Sequence, residues 1–310
     1  MRIEINMSSL EKVFITGGAG FIGSHLIERL ATDGAHIEVL VRGGFSNIQH
    51  VEGSIELVKG DMTTEFSIDD ASTVFHFAAF SDIRHSIENP RLAFGNTQGT
   101  FNLLESIRRS DTVEKLVYLS TSHVYGIPQY LPIDENHPTH PREPYSASKL
   151  GCEILVSAYS VTYGIPAFIG RLFPVYGPRQ KTQFVVPHII TQMLEHEVIE
   201  MRNPTNTLDF TYIDDVVDGL LLGANRAEGT YNIGSGIGVN IKSLVTSIAD
   251  ILTKEVAIHV HTEGGVKYAE TERMLADIRR MRSLGWKPKT TLAEGLKRTV
   301  EWYEAHRDTS

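Results

Sequence analysis

Short apolar runs alternate with amphipathic segments through the first half of the chain. The apolar runs, each ending in glycine or polar residues, predict β-strands over residues 12–18, 36–42, 55–61, 73–79 and 115–122. Apolar residues at helical spacing predict helices over residues 21–34, 89–110 and 145–163. Because helices between apolar strands cover both faces of a sheet, this order predicts a parallel sheet between two helical layers.

The pattern loosens after Phe173, where prolines at positions 174, 178, 187 and 204 mark predicted loops. Residues 210–225 then predict a further helix and residues 230–236 a further strand. The tail from residue 242 alternates helical segments with short strand-like ones. The second half therefore predicts a smaller lobe appended to the sheet.

Composition narrows the class of protein. The 310 residues are 41% hydrophobic and 22% charged, which is typical of a globular protein with a sizeable core. The net charge of −9 argues against a nucleic-acid-binding protein, because phosphate contacts need a basic face. A single cysteine, Cys152, allows no intrachain disulfide. The histidines lack metal-ligand spacing, so we expect no metal.

The sequence also bears on the compartment. It contains no run of 18 apolar residues, so no membrane span is expected. The first residues, MRIEINMSSLEK, lack the apolar region of a signal peptide. Together with the single cysteine, which fits a reducing compartment, these features predict a cytoplasmic protein.

The segment TGGAGFIG lies between the first predicted strand and the first predicted helix. Gly17 suits the tight turn, Gly20 lets the backbone approach a pyrophosphate, and Gly23 permits close packing of the helix on the strand. Phe21 and Ile22 open the helix, whose free N–H groups attract an anion. The segment therefore predicts a dinucleotide site.

With this loop, the fold prediction becomes an α/β protein with a Rossmann-type doubly wound parallel sheet. We expect the Rossmann domain to span residues 8–173, with residues 209–234 returning to it. A smaller C-terminal α/β lobe, formed by residues 174–208 and 235–310, is expected to bind the substrate.

The end of the second predicted strand bears on which dinucleotide binds. Proteins that prefer NAD usually carry an acidic residue there, whereas this chain has Arg42. A guanidinium can bind a 2′-phosphate bidentately, so Arg42 favours NADP, although a solvated surface arginine is the alternative. Asp61 and Met62 follow the third strand and could line the adenine, unless Asp61 only forms a turn.

Two segments carry candidate chemistry. In YSASK, Tyr145 and Lys149 are four residues apart at the start of a predicted helix, so they share one face. A neighbouring ammonium favours the phenolate, which would make Tyr145 a base at neutral pH. In STSHVYG, at the end of a strand, a hydroxyl from Ser120 or Thr121 could complete the relay. The alternative is that Tyr145 and Lys149 are only a solvent-exposed pair on the helix surface, without a catalytic role.

Taken together, these segments resemble the extended short-chain dehydrogenase/reductase family, in the NAD-dependent epimerase/dehydratase group that acts on nucleotide sugars. The resemblance covers nearly the whole chain. The matching segments are TGGAGFIG, FHFAA, NTQGTFNLLES, STSHVYG, YSASK, RLFPVYGPRQ, DFTYIDDVVDG, YNIGSG and LGWKPKTTLAEGLKRTVEWY. These segments are specific for the family, but they are much less specific for which of the family's reactions the protein catalyses.

The resemblance implies roles for individual residues. Tyr145 is the catalytic base, Lys149 its partner that also holds the nicotinamide ribose, and Thr121 the catalytic hydroxyl, which leaves Ser120 as a strand-end residue. The implied cofactor contacts are Gly17, Gly20, Phe21, Ile22, Gly23, Arg42, Asp61, Met62, Ala78, Ala79, Asn96, Tyr145 and Lys149. Candidate substrate contacts are Ser81, Ser122, His123, Arg179, Lys267 and Arg273.

Four positions depart from the family pattern. The 4,6-dehydratases of the family have acids at the positions of Ser122 and His123, and the decarboxylases typically have Glu at that of His123. Pro174 replaces the usual Asn before VYG, and Leu208 replaces an Arg that usually meets the diphosphate. These differences make elimination and decarboxylation less expected reactions. Either the diphosphate of the substrate is held differently, or the substrate is not a standard nucleotide sugar.

The leading hypothesis is therefore a nucleotide-sugar epimerase that works at C4 through a transient 4-keto intermediate and uses NAD(P). The first alternative is an NADPH-dependent reductase of a 4-keto sugar, which Arg42 favours. A dinucleotide-binding protein without catalysis is a third hypothesis, which the presence of Tyr145 and Lys149 opposes. The resemblance also predicts a homodimer formed through the helices over residues 89–110 and 145–163.

Overall fold

The main sheet of the protein has seven strands. The computed structural model describes residues 10–261 and 272–307. The strands are β1 (Lys12–Thr16), β2 (His36–Val41), β3 (Glu56–Lys59), β4 (Thr73–His76), β5 (Lys115–Thr121), β6 (Ala167–Leu172) and β11 (Gly229–Ile233). Their order is β3-β2-β1-β4-β5-β6-β11, and every pairing is parallel. The predicted doubly wound parallel sheet is thus confirmed.

Helices connect the strands and cover the sheet. They are α1 (Phe21–Thr32), α2 (Ile83–Glu88), α3 (Pro90–Arg109), α4 (Pro144–Tyr163), α5 (Val185–Glu195), α6 (Ile213–Arg226), α7 (Ile241–Leu252), α8 (Arg279–Ser283) and α9 (Leu292–Ala305). Two 3₁₀ segments, Ser46–Ser54 and Ser122–Tyr125, and the short α2 were not predicted, because brief irregular turns carry little periodicity. Within the described ranges, none of the helices has the length and apolar composition that a membrane crossing requires.

The core follows from the apolar runs of the sequence. Strand β6 is buried at all six positions and β4 at all four, as expected for central strands covered on both faces. Helix α1 buries Leu26, Ile27 and Leu30 on one face, and Gly34 follows its end with φ of +83°. The sheet is therefore a rigid frame from which loops project at the carboxyl ends of the strands.

Smaller sheets lie in the second half of the chain. Strands β7 (Val175–Tyr176) and β10 (Thr211–Tyr212) pair, as do β8 (Val198–Met201) and β13 (Ala257–Val260), and β9 (Thr207–Asp209) lies between β12 (Gly238–Asn240) and β14 (Arg273–Met274). Buried Asp209 accepts N–H groups from Ser235, Gly236 and Ala276 at 2.6–3.1 Å. This carboxylate ties the loop after β11 to the three-stranded sheet. The predicted division into two lobes stays a prediction.

Candidate active site

Three neighbouring strands bring the predicted site residues to one edge of the sheet. Strands β1, β4 and β5 are adjacent and parallel, so their carboxyl ends meet. Gly17 follows β1, Ala78 follows β4, and Thr121 is the last residue of β5. The strand order reverses between β1 and β4, which is where open α/β sheets bind ligands. The candidate active site therefore lies at this edge.

The glycine loop has little room for side chains on its inner surface. Gly17 has φ of +72°, and a Cβ there would lie 2.5 Å from the Ala78 nitrogen. A Cβ on Gly23 would collide with the Gly17 carbonyl, whereas one on Gly20 would meet only that carbonyl, at 3.1 Å. Gly20 caps α1 with no side-chain hydrogen bond, so the first N–H groups of the helix face an open, glycine-lined surface. These features fit a dinucleotide pyrophosphate.

A buried histidine supports the segment after β4, which lies against the glycine loop. His76 Nδ1 lies 2.7 Å from Thr16 Oγ and its Nε2 lies 2.9 Å from Thr100 Oγ. Thr16 Oγ also accepts the Ala78 N–H at 3.2 Å. Burial lowers the pKa of His76 to about 3, so the ring is neutral and can donate from only one nitrogen. His76 belongs to the family-like segment FHFAA, but the sequence alone indicates no role for it.

Asn96, on α3, contacts the same segment after β4. Its Oδ1 accepts the Phe80 N–H at 2.7 Å, and its Nδ2 donates to the Phe80 carbonyl and to Ser148 Oγ at 3.1 and 3.0 Å. The amide is thus occupied by protein groups. Asn96 therefore fixes the backbone of Phe80, directly after Ala79, against Ser148 of α4.

The residues predicted at the adenosine end lie at the ends of β2 and β3. The Arg42 side chain is 83% exposed, with Nη1 4.0 Å from Asp61 Oδ2. Asp61 Oδ1 accepts the Thr63 N–H at 2.8 Å, and this bond lowers the pKa of the carboxyl. Met62 is held through its carbonyl, which accepts from Asn102 at 2.8 Å. Arg42 is therefore exposed and paired, among the described residues, only with Asp61, and Asp61 forms the turn that was the alternative to its contact with adenine.

The structure brings Thr121 and Tyr145 together, as the motifs predict. The Thr121 hydroxyl lies close enough to the Tyr145 phenol to lower its pKa, and it accepts the His123 N–H at 3.2 Å. Burial raises the pKa of Tyr145 to about 12, against the lowering effect of Thr121. In the protein alone, Tyr145 therefore keeps its proton at neutral pH.

Lys149 lies on the same face of α4 but is not what sets the Tyr145 pKa. Its Nζ sits 4.4 Å from the centre of the Tyr118 ring, a cation–π contact. Burial lowers the pKa of Lys149 itself to about 8. The Tyr145 pKa responds to burial, Thr121 and Glu143, and Lys149 is not among the groups that shift it. In the protein alone, the expectation that this ammonium brings the Tyr145 pKa toward working range is therefore not met.

Two buried carboxylates frame the pair, and sequence reasoning missed both. Glu143 caps α4 by accepting the Ser146 N–H at 2.9 Å, and its charge raises the pKa of His123, although burial leaves that pKa lowered. Glu153 pairs with Arg171 at 2.7 Å and accepts from Ser120. Ser120 is thus occupied in the core, in accord with its expected strand-end role. Pro144 could have indicated Glu143 as the N-cap of α4, because proline is common at the first position of a helix.

The predicted substrate contacts are scattered. Ser81 is exposed beyond β4, while Ser122 is buried and His123 half-buried in the 3₁₀ turn after Thr121. Arg179 forms an ion pair with Glu28 of α1, with Nη2 2.7 Å from Oε2. Arg273 is exposed on β14. Lys267 lies outside the described residues. Among the candidate substrate contacts that the structure describes, only Ser122 and His123 lie next to Thr121.

Sequence relatives include both epimerases and dehydratases. A Methanocaldococcus jannaschii protein, assigned as a UDP-glucose 4-epimerase only provisionally, is 34% identical over 96% of this chain and 100% of its own length. The dTDP-D-glucose 4,6-dehydratase of Mus musculus is 31% identical, over 96% of this chain and 89% of the mouse protein.

Solved structures agree with the sequence relatives. UDP-N-acetylglucosamine 4-epimerase from Methanobrevibacter ruminantium, in complex with UDP-N-acetylmuramic acid, superposes with a TM-score of 0.89 at 27% identity, over 96% of this chain and 99% of that one. Thermus thermophilus UDP-glucose 4-epimerase in complex with NAD gives 0.85 at 29% identity, over 96% and 99%.

A family model described as GDP-mannose 4,6 dehydratase matches residues 14–299. That range runs from the first strand of the sheet into the last helix and includes the glycine loop, Thr121, Tyr145 and Lys149. With this match and the relatives above, the chain belongs to the extended short-chain dehydrogenase/reductase family, in its group of NAD-dependent sugar epimerases and dehydratases.

Proposed function

We propose that the protein is a nucleotide-sugar epimerase that inverts C4 through a transient 4-keto intermediate and uses NAD(P). The observation that carries the proposal is the Thr121 hydroxyl beside the Tyr145 phenol, with Lys149 one turn along α4 and the glycine loop at the same edge of the sheet. This set is sufficient for reversible oxidation of an alcohol. Relatives that act on UDP-sugars support the substrate class.

The chain supplies binding, orientation and proton transfer. The N–H groups at the start of α1 would hold the pyrophosphate, and Lys149 would hold the nicotinamide ribose. Bound NAD(P)⁺ would accept hydride from C4 and return it, and its cationic ring would supply positive charge near the phenol. Tyr145 takes the C4 hydroxyl proton and gives it back, while Thr121 orients the phenol and the sugar oxygen.

Dehydration is less well supported, although dehydratases are among the relatives. Elimination of water next to the ketone requires further acid–base groups beside the sugar. At the two positions after Thr121, this chain has a buried serine hydroxyl and an imidazole in place of carboxylates. Epimerisation needs no such pair, because the same Tyr145 serves both directions of hydride transfer.

The decisive experiment is incubation of the purified protein with a panel of UDP-, dTDP- and GDP-sugars, with products identified by NMR. An epimerase interconverts C4 epimers with its bound cofactor and needs no added nicotinamide. A reductase consumes one NADPH per sugar, and a dehydratase releases a 4-keto-6-deoxy sugar. Formation of either of those products without epimerisation would contradict the proposal.

Arg42 favours NADP as the dinucleotide and keeps the NADPH-dependent reductase as the second candidate. Its guanidinium is exposed at the end of β2, where a 2′-phosphate would lie. We expect Arg42→Ala to weaken NADP binding about 10-fold, the value of one charge-assisted contact of about 1.4 kcal/mol, and to leave NAD binding nearly unchanged. Isothermal titration with both dinucleotides measures this.

Lys297→Ala is the matched control for Arg42→Ala. Lys297 is an exposed cation on α9, so its loss changes the net charge equally without touching the end of β2. It should leave both affinities as in the wild type. Equal losses of NAD and NADP affinity in Arg42→Ala, or a wild-type protein that binds NAD far more tightly than NADP, would refute the preference.

We also propose a homodimer formed through α3 and α4. Phe94 and Phe101 are seven residues apart on α3, and Ile154 and Val161 are seven apart on α4, so each pair shares one helix face. All four are exposed, Phe94 by 67% and Val161 by 87%. Because α3 and α4 pack side by side, their outer faces form one apolar surface that a second copy can bury.

Charge on this surface should break the dimer. We expect the wild type to sediment as a dimer and Phe94→Glu to sediment largely as a monomer, because a carboxylate would be buried without a partner. Ile237→Glu is the control, since Ile237 is comparably exposed (66%) but lies before β12, away from α3 and α4. Monomeric wild-type protein, or dimeric Phe94→Glu, would exclude this interface.

A further inference from the structure

A small group of metal-ligating side chains lies on the two-stranded sheet formed by β8 and β13. Glu200 is on β8, His259 on β13, and His261 directly follows β13. The strands are parallel, with Glu200 and His259 as register partners. Since side chains alternate between the faces of a strand, His259 and His261 share one face, and Glu200 shares it with them. The pairing of the two strands thus creates the group.

The ligand atoms are close enough to share one ion. One nitrogen from each imidazole and one Glu200 oxygen all lie within 4.8 Å of one another. His261 Nε2 is 3.1 Å from Glu200 Oε2, and the two rings have centres 4.9 Å apart. Ligands of a tetrahedral zinc ion are separated by about 3.3 Å, given bond lengths of about 2.0–2.1 Å. Small side-chain rotations would therefore complete the geometry.

The backbone under two of these ligands is fixed. Gln192 of α5 donates from Nε2 to the Glu200 carbonyl at 3.1 Å and accepts the Glu200 N–H at 2.8 Å. The His261 N–H donates to the Met201 carbonyl at 2.9 Å. These bonds hold Glu200 and His261 in register before any ion binds. Such support lowers the conformational cost of bringing three ligands together.

We propose that Glu200, His259 and His261 bind a divalent ion of the zinc class. Two imidazoles and one carboxylate suit zinc and its late first-row neighbours, whereas magnesium and calcium require oxygen ligands. The three protein ligands leave the remaining positions to water. The site belongs to the β8–β13 sheet, so it neither depends on the epimerase proposal nor takes part in the chemistry of Tyr145. The ion links the two strands.

A second group of similar composition gives a matched comparison. His36, Glu38 and Glu56 lie together at the edge formed by β2 and β3, with His36 Nε2 3.9 Å from an oxygen of each carboxylate. This group has only one imidazole, and zinc sites are richer in nitrogen or sulfur ligands. It should bind zinc more weakly, and a variant there controls for the loss of any surface histidine.

The experiment titrates untagged, chelator-treated protein with ZnCl₂ in a calorimeter. We expect one equivalent to bind in the wild type and in His36→Ala. In His259→Gln and His261→Gln, the affinity should be at least about 10-fold weaker. Zinc should raise the melting temperature of the wild type and of His36→Ala, and not that of a variant that carries both His259→Gln and His261→Gln, because an ion that links two folded strands favours the native state.

Several results would overturn the site. They are the absence of zinc binding in the wild type, an affinity in His259→Gln equal to that of the wild type, and a loss of affinity in His36→Ala as large as in the site variants. Competition by millimolar MgCl₂ would also contradict the assigned ion class. The replaced histidines are at the surface, so unaltered melting without zinc shows that the variants fold, and any difference then reports on the ligands.

Discussion

Replacing Tyr145 by phenylalanine should lower kcat by about 10²–10⁴-fold on whichever nucleotide sugar proves active, the range that one positioned acid–base group contributes. The variant removes a single oxygen, that of the phenol whose pKa Thr121 lowers. The ring still fills its place on α4, so the fold and the affinity for the dinucleotide should be nearly unchanged. Steady-state kinetics, a binding titration and thermal melting together measure the effect.

Tyr159→Phe makes the same chemical change on the same helix and serves as the control. The Tyr159 hydroxyl donates to Glu105 at 2.8 Å, and Tyr159 is 14 residues after Tyr145 on α4. Its loss should leave kcat at the wild-type level. If Tyr145→Phe retained full activity, or lost activity only in proportion to a loss of folded protein, the phenol would not be the proton carrier and the proposed function would fall with it.

The effect on kcat also bears on how the phenol is ionised. In the protein alone, burial holds the Tyr145 pKa near 12 and the Lys149 pKa near 8. Their spacing in the sequence suggested that the Lys149 charge would lower the Tyr145 pKa. The pKa of Tyr145 in the protein alone does not show this effect. A cationic ligand in the cleft would favour the phenolate, so under the proposed function the base would form only with the cofactor bound.

The sequence predicted the parts of the site that depend on local spacing. The glycines of TGGAGFIG, the Thr121 strand end and the Tyr145–Lys149 pair each lie within a short segment whose geometry follows from one strand or one helix. The order of strands and helices then placed these segments at one edge. The sheet was predictable for the same reason, because its buried strands read as apolar runs.

The rest of the site was not predictable, because it depends on partners distant in sequence. His76 links Thr16 to Thr100 across two strands and a helix, and no local pattern shows that contact. Arg179 resembles a substrate ligand in sequence, but the fold turns it toward Glu28. The Tyr145 pKa likewise depends on burial by the whole structure. Tertiary contacts, rather than propensity, decide each of these features.

Gly17→Ala should destabilise the protein and strongly weaken dinucleotide binding. A methyl group there carries the cost of a left-handed backbone, about 1–2 kcal/mol, and would also press on the backbone of Phe77 and Ala78 at 2.5–2.8 Å. Overpacking of this kind costs a further 1–3 kcal/mol or so, giving about 2–5 kcal/mol in all. Movement of either loop opens the cleft, so affinity for NAD(P) should fall more than about 100-fold, or about 2.7 kcal/mol.

Gly34→Ala separates the two causes of that loss. Gly34 also has a left-handed backbone, with φ of +83°, but a Cβ there would meet nothing within 4 Å. It should therefore cost only the backbone term of about 1–2 kcal/mol and leave dinucleotide binding intact. Melting curves and binding titrations of both variants give the difference. If Gly17→Ala bound NAD(P) as tightly as Gly34→Ala, the contact between the loop after β1 and the segment after β4 would not shape the cofactor site.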